Sequence, residues 1–465
     1  MTAKKKFYIT TPIYYPNDIL HVGHAYTTIA ADALARWHRL KREEVFFLTG
    51  TDEHGKKIED TAKNNNKNPK EFVDELVLRI KKDWKKLNLT YDKFIRTTDK
   101  EHEQVVAEIL QKVYDKGDIY PGKYEGLYCT GCEAYYTEKD LENGCCPIHK
   151  KKVDLLKEES YFFKLSKYRK ALLELYKKGF ILPKYREKEI INRVTEGLND
   201  LSISRTSFNW GIPLPFDKKH ICYVWFDALT NYYSATREKN REKFWPADVH
   251  LIGKDILWFH AVYWPAMLMS AGIELPKKIF AHGWWTFDKE KISKSVGKVI
   301  NIDELIGIAG VDSARYFLLR ATPFGEDGDF SEKSLIDRHN NELADKLGNL
   351  VSRVSALAEK YGLEKTENNL LKKLKLKEIE KHFENYELDK ALNEIFAFID
   401  NCNEYTQSKK PWETHDKKVL FELVEAIRKI NFYLAPFIPE TSEKIAKIFK
   451  TDKIKKAEIL FKKII

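Results

Sequence analysis

The 465-residue chain carries 80 Lys and Arg against 70 Asp and Glu, a net charge of +10, and its 43% hydrophobic content includes 10 Trp, 24 Tyr and 26 Phe. That is enough chain for two to four domains with a sizeable core, and too aromatic for a disordered protein. No apolar run approaches the roughly 18 residues of a membrane-spanning helix, and six cysteines are too few for a disulfide scaffold.

The opening MTAKKKFYIT has charge but no long apolar stretch behind it, so no signal peptide and a cytoplasmic location are expected. Phe7–Thr10 reads as a strand, followed by a proline-containing loop, 11–20. The next segment has Ala25, Ile29, Ala33 and Trp37 near helical period. Val45–Leu48 reads as a buried strand ending in the polar turn TGTDEHG, and helical patterns follow to about Asp118. Strand, helix and strand in this order predict an α/β fold with a parallel sheet over 1–118. From 119 to 225 Gly, Cys, Pro and Tyr break the helical pattern, which suggests an inserted domain. The α/β texture returns over 226–331, where DVHLIGKD and KKIFAHGWW each run from a strand into a turn. From 332 to 465 the pattern is helical to the end, with Leu343, Leu347, Leu350, Val351 and Val354 at helical spacing and lysine-rich solvated faces.

Three motifs carry chemistry. In HVGH, His21 and His24 flank Gly23 where the first strand hands over to a helix. A helix N-terminus attracts anions, a glycine permits close approach, and imidazoles can donate to phosphate oxygens. A metal reading needs a third ligand that the neighbourhood does not offer, and plain packing is the other alternative. In KISKS, Lys291 and Lys294 with two serines can wrap a polyphosphate. The third motif is CTGCEAYYTEKDLENGCCPIH, within 127–150. Cys129 and Cys132 form a CxxC pair, and Cys146 and His149 a CxxH pair. Three thiolates and one imidazole make a closed tetrahedral zinc site, structural because no position is left open. Cys145 is adjacent and could replace Cys146, although Cys146 has the better spacing to His149.

HVGH followed by KISKS on an α/β scaffold resembles the class I aminoacyl-tRNA synthetases, whose hallmarks are written HIGH and KMSKS. ITTPIYYPN, FLTGTDEHGKKI, VWFDALTNYYSA, IGKDILWFHAVYWPAMLMSAG and AHGWWTFDKEKISKS extend the likeness, closest to the methionyl-tRNA synthetases, through nearly the whole chain. The resemblance implies a Rossmann-like parallel sheet with an inserted zinc-knuckle domain and an all-helical anticodon-binding bundle. It implies a methionine–tRNA ligase that forms methionyl-adenylate from L-methionine and ATP with Mg²⁺, releases pyrophosphate, and charges the 3′ end of tRNA(Met). It places catalysis on His21, His24, Lys291 and Lys294, and ATP on His21, Gly23, His24, Lys254, Asp255 and Lys294. Methionine would be lined by Ile13, Tyr15, Asp52, Trp225, Ala228, Tyr232, His260 and Trp264, with Asp52 on its ammonium. Asn349, Arg353 and Trp412, in GNLVSR and KKPW, would read the anticodon. No appended tRNA-binding domain is visible, so a monomer is expected. Isoleucyl, valyl and leucyl relatives carry a larger editing insertion. A catalytically silent tRNA-binding paralogue is the rival from another class, and intact motifs speak against it.

Overall fold

Strands form where β-branched and aromatic residues run together, and the computed structural model places them as β1 (Lys6–Tyr14), β2 (Glu44–Thr51), β3 (Lys93–Arg96), β4 (Ile119–Cys129), β5 (Ala134–Tyr136), β6 (Asp154–Phe163), β7 (Ile181–Leu182) and β8 (Leu201–Ser202). They continue as β9 (Ser204–Arg205), β10 (Ile221–Cys222), β11 (Val249–Gly253), β12 (Ile279–His282), β13 (Trp285–Phe287), β14 (Glu290–Lys291) and β15 (Gly328–Phe330). The structure describes residues 4–16, 20–132, 134–136, 138–148, 150–287, 290–291 and 300–465. The chain divides into two units, one of 1–19, 43–82 and 91–282, the other of 20–42, 83–90 and 283–465.

The first unit is built on a six-stranded sheet in the order β3-β2-β1-β11-β12-β7, with every neighbouring pair parallel. β1 is central, with chain-order neighbours to one side and later strands to the other. In such sheets ligands bind beyond the carboxyl ends of the strands where the order reverses. Tyr15, Asp52, Lys254 and Asp255 directly follow the carboxyl ends of β1, β2 and β11, and Ile13 is the next-to-last residue of β1. Tyr8, Phe46, Ile95, Leu110, Leu229 and Trp264 belong to one buried core cluster of this unit. A four-stranded antiparallel sheet, β5-β4-β6-β8, occupies the stretch read as inserted.

β3 and β7 were not legible, because runs of four and two residues are too short to show a period. β7 comes from the stretch read as inserted, yet pairs in parallel with β12.

In the second unit, the helix Val22–Leu40 buries Ala25, Ile29, Ala33 and Trp37, the stripe expected from sequence. Trp37 stacks on Phe383 at 4.3 Å. Asp32 and Arg315 form an ion pair at 2.7 Å with both side chains fully buried, and Arg315 also donates to the carbonyls of Leu87, Pro436 and Phe437. Each charge is thereby paired, as burial requires. Leu343, Leu347, Leu350, Val351 and Val354 are all buried. The expectation of helix to the very end is corrected: after the helix Pro439–Ile448 the chain is irregular, although Ile454, Ala457 and Phe461 still bury their side chains. Among the described residues no helix is long and apolar enough to cross a membrane.

Candidate active site

The aromatic side chains expected around methionine converge in the first unit. The helix Val224–Ser234 presents Trp225, Ala228 and Tyr232, spaced three and four residues apart on one face. The π-helical turn Phe259–Tyr263 carries His260 and leads into Trp264. Trp225 stacks on Phe259 at 3.8 Å with planes 1° apart, and meets His260 edge-on at 6.3 Å. Tyr232 lies 6.1 Å from Trp264, edge to face. Ile13 is partly buried against the same core cluster, and Ala228 is nearly fully covered.

Two hydrogen-bond chains fix the rings. His260 Nδ1 lies 2.9 Å from the Ile256 carbonyl and can only donate to it. The other ring nitrogen of the neutral imidazole then accepts from the Tyr232 hydroxyl, 2.7 Å away. His250, stacked on Tyr232 at 4.1 Å, accepts from Trp264 Nε1 at 3.2 Å, so its Nδ1 donates to the Thr10 hydroxyl at 2.8 Å. Burial pushes His260 down to about 4. Burial, and then His260 itself, push His250 well below its ordinary value. Both rings are therefore neutral near pH 7.

The sign of the pH dependence follows. An unfolded histidine takes a proton near pH 6.5 while folded His260 does not until about pH 4, so stability is lost as pH falls between these values. The melting temperature is expected to drop from pH 6.5 to pH 5, and to drop less in His260→Gln. An equal drop in both proteins would show that His260 charges without cost.

Asp52, also expected at methionine, lies in the turn after β2. Asp52 N donates to the Tyr14 carbonyl at 3.0 Å, and the Tyr15 hydroxyl donates to the His54 carbonyl at 3.1 Å. Sequence reasoning missed what anchors this turn. His54 Nδ1 lies 2.7 Å from one oxygen of Asp227, and His102 Nε2 lies 2.7 Å from the other, with all three side chains buried. Burial would raise Asp227, but the charge of His54 and the bonds from both histidines outweigh it and hold the carboxyl below its usual range. For His54, burial pulls downward, but Asp227, with Glu103 and Glu53, outweighs it and leaves the imidazole raised. His54 stood in plain view in TDEHG, and His250 as a lone imidazole in an otherwise apolar strand.

His21 and His24 lie in the second unit, at the start of the helix Val22–Leu40. They form a reciprocal capping box. Gly23 N donates to His21 Nδ1 at 3.1 Å, and His21 N donates to His24 Nδ1 at 3.1 Å. With Nδ1 accepting, each neutral ring carries its proton on Nε2, a donor. A Cβ on Gly23 would sit 3.0 Å from His21 Cε1. The glycine thus makes room for the histidine ring, a need the sequence reading did not foresee. Lys291 pairs through its backbone with Thr286, while its side chain and Lys294 lie outside the described residues. Lys254 and Asp255 form the first turn after β11.

Cys129, Cys132 and Cys146 bring their sulfurs within 4.8 Å of one another, with Cys132 and Cys146 at 3.3 Å. Tetrahedral zinc with thiolate bonds of about 2.3 Å sets sulfurs about 3.8 Å apart, so this donor set fits zinc with small adjustments. Cys145 is outside the group; its backbone pairs instead with Glu142. His149 lies outside the described residues. Metal analysis is expected to find that Cys146→Ala loses the ion and Cys145→Ala retains it. The reverse result would remove Cys146 from the ligand set.

In the helical region of the second unit, Arg353 lies over the Trp412 ring at 5.2 Å. Asn349, one turn before Arg353, donates to the Asp345 carbonyl at 3.0 Å.

Comparison with known proteins accords with this geometry. The family described as tRNA synthetases class I (M) matches residues 7–154 and 138–355, and that described as anticodon-binding domain of tRNA ligase matches 367–464. The methionine–tRNA ligase of Caldanaerobacter subterraneus subsp. tengcongensis is 46% identical, covering 95% of this chain and 73% of the relative. That of Clostridium perfringens is 48% identical with the same coverage. The Mycobacterium tuberculosis methionyl-tRNA synthetase, solved in complex with methionyl-adenylate, is similar with a TM-score of 0.92 and 39% identity, covering 96% of this chain and 94% of that one. Two family matches that together span most of the sequence, and relatives of one kind covered over nearly all of it, agree: the chain belongs to the class I tRNA synthetases, in the methionine–tRNA ligase family.

Proposed function

We propose that this chain activates L-methionine with the magnesium complex of ATP and transfers it to the 3′ end of tRNA(Met). The observation that carries the proposal is the neutral aromatic cluster of Trp225, Tyr232, His260 and Trp264. Flat aromatic walls suit a flexible, polarisable thioether. Asp52 supplies a carboxylate for the substrate ammonium. The substrate carboxylate attacks the α-phosphorus of ATP in line, the new C–O–P anhydride forms, and pyrophosphate leaves. The terminal ribose hydroxyl of the tRNA then attacks the carbonyl carbon, forming the ester and releasing AMP.

Such a reaction needs positioning and charge stabilisation rather than covalent help. The Nε2–H groups of His21 and His24, with Lys291 and Lys294, are assigned to charge developing on the phosphates, and Lys254 and Asp255 to the nucleotide. Cys129, Cys132, Cys146 and His149 would hold one zinc ion, which supplies a structural cross-link. Asn349, Arg353 and Trp412 are assigned to the anticodon, over a domain division of 1–118 and 226–331 for catalysis, 119–225 inserted, and 332–465 for the tRNA. The reading includes a cytoplasmic location, since its tRNA partner acts there.

The test is a paired assay on one preparation of Trp412→Ala. Loss of a base-stacking platform is worth about 1–3 kcal/mol, or roughly 5- to 150-fold in charging at low tRNA. Methionine-dependent pyrophosphate exchange needs no tRNA and should be unchanged. Equal losses in both would make Trp412 a structural residue.

A further inference from the structure

We propose that His415 and Tyr361 form a second stacking platform beside Trp412, for another unpaired base of the tRNA anticodon loop; this rests on the assignment of Trp412 to the anticodon. Tyr361 ends the helix Asn349–Tyr361 that carries Asn349 and Arg353. His415 stacks on it with ring centres 4.2 Å apart and planes 24° apart, and Lys360 lies 5.0 Å from the Tyr361 ring. His415 is exposed and Tyr361 half-buried. One face of the tyrosine is thus covered, and the outer face of the imidazole is left for a flat ligand.

The platform is held by its backbone. Trp412 sits in the four-residue turn Pro411–Thr414, bounded by two left-handed residues, Lys410 at φ 42° and His415 at φ 55°. Such conformations are costly for residues other than glycine, and persist where the surroundings fix them. Here His415 N donates to the Pro411 carbonyl at 3.1 Å. The next residue, Asp416, caps the helix Lys417–Leu434 through bonds of 2.9 and 3.2 Å to the amides of Lys418 and Val419.

His415 follows Trp412 by three residues, at most about 11 Å of chain. Arg353 and Tyr361 are eight residues apart on their helix, a rise of about 12 Å. The Arg353–Trp412 pair and the Tyr361–His415 pair therefore join the same helix to the same turn, as two aromatic contacts along the line where these segments meet. Lys360, Lys409, Lys410, Lys417 and Lys418 are close in sequence to this line. Rings backed by cations are the chemistry that holds splayed bases of single-stranded RNA. The two steps would take two different nucleotides.

The experiment titrates the full chain, His415→Asn and Trp412→Ala with the anticodon stem-loop of tRNA(Met), intact or with one abasic nucleotide at each loop position in turn. Asparagine tolerates the left-handed backbone, so the variant removes the ring without forcing the turn to refold. His415→Asn is expected to weaken binding about 5-fold or more. One abasic position should weaken the parent by a similar factor and leave His415→Asn no weaker, and Trp412→Ala should couple to a different position. Unchanged binding by His415→Asn alongside a loss in Trp412→Ala would overturn the proposal and leave the anticodon assignment standing. A loss in His415→Asn independent of every abasic position would make the ring a structural staple and also overturn it. If neither variant loses affinity, the anticodon assignment falls as well.

Discussion

Replacing Asp227 with alanine is expected to lower the unfolding free energy by about 3–5 kcal/mol, the usual cost of removing one partner from a buried ion pair. Two buried imidazoles, His54 and His102, would lose their shared carboxylate at once. Function should suffer with stability, because this carboxylate ties together two stretches assigned to methionine. Asp227 lies between Trp225 and Ala228, and His54 lies two residues beyond Asp52 with its carbonyl bonded to Tyr15. The variant should therefore bind methionine more weakly even where it is fully folded, raising KM in pyrophosphate exchange. Urea unfolding and exchange kinetics check the two halves separately. Asp227 is depressed, so its contribution is lost as pH falls through its folded value; His54 is raised, so its contribution is lost as pH rises through its own. The pair stabilises most between those limits. Parent-like stability and KM in Asp227→Ala would show that the cluster anchors nothing.

Replacing His24 with alanine is expected to slow adenylate formation about 10²- to 10³-fold, or roughly 3–4 kcal/mol of barrier, as for loss of a preorganised donor to developing charge. Methionine affinity should hardly change, since the residues assigned to methionine lie elsewhere. The structure adds a second effect. His24 Nδ1 accepts from His21 N in the capping box, so the variant should also lose about 1 kcal/mol of stability. Single-turnover formation of the adenylate at saturating substrates isolates the chemical step. A variant with normal saturated turnover and poor methionine binding would make the histidines pocket or packing residues.

Much of this was legible because the signals were local. HVGH, KISKS and the cysteine spacing declare themselves over a few residues, and the apolar stripe of Val22–Leu40 needs only helical period. The same locality limits what could be read. Asp227 looks like one more polar residue on a helix until the fold brings it to His54 and His102, which are distant in sequence. Whether an imidazole is neutral depends on its burial, so the low pKa of His260 has no sequence signature. The histidines of HVGH were read as phosphate donors, and the structure adds that they cap their own helix with Nδ1. One ring can serve both purposes because its two nitrogens are distinct. β7 has only two residues and could be found only through its partner β12.

The central claim is that this chain activates methionine, and the most direct measurement is ATP–pyrophosphate exchange by the purified protein with each of the twenty amino acids in turn. The account predicts exchange with methionine far above every other amino acid, without tRNA, and reduced by His24→Ala. Exchange with no amino acid, or strongest with isoleucine, valine, leucine or cysteine, would contradict it.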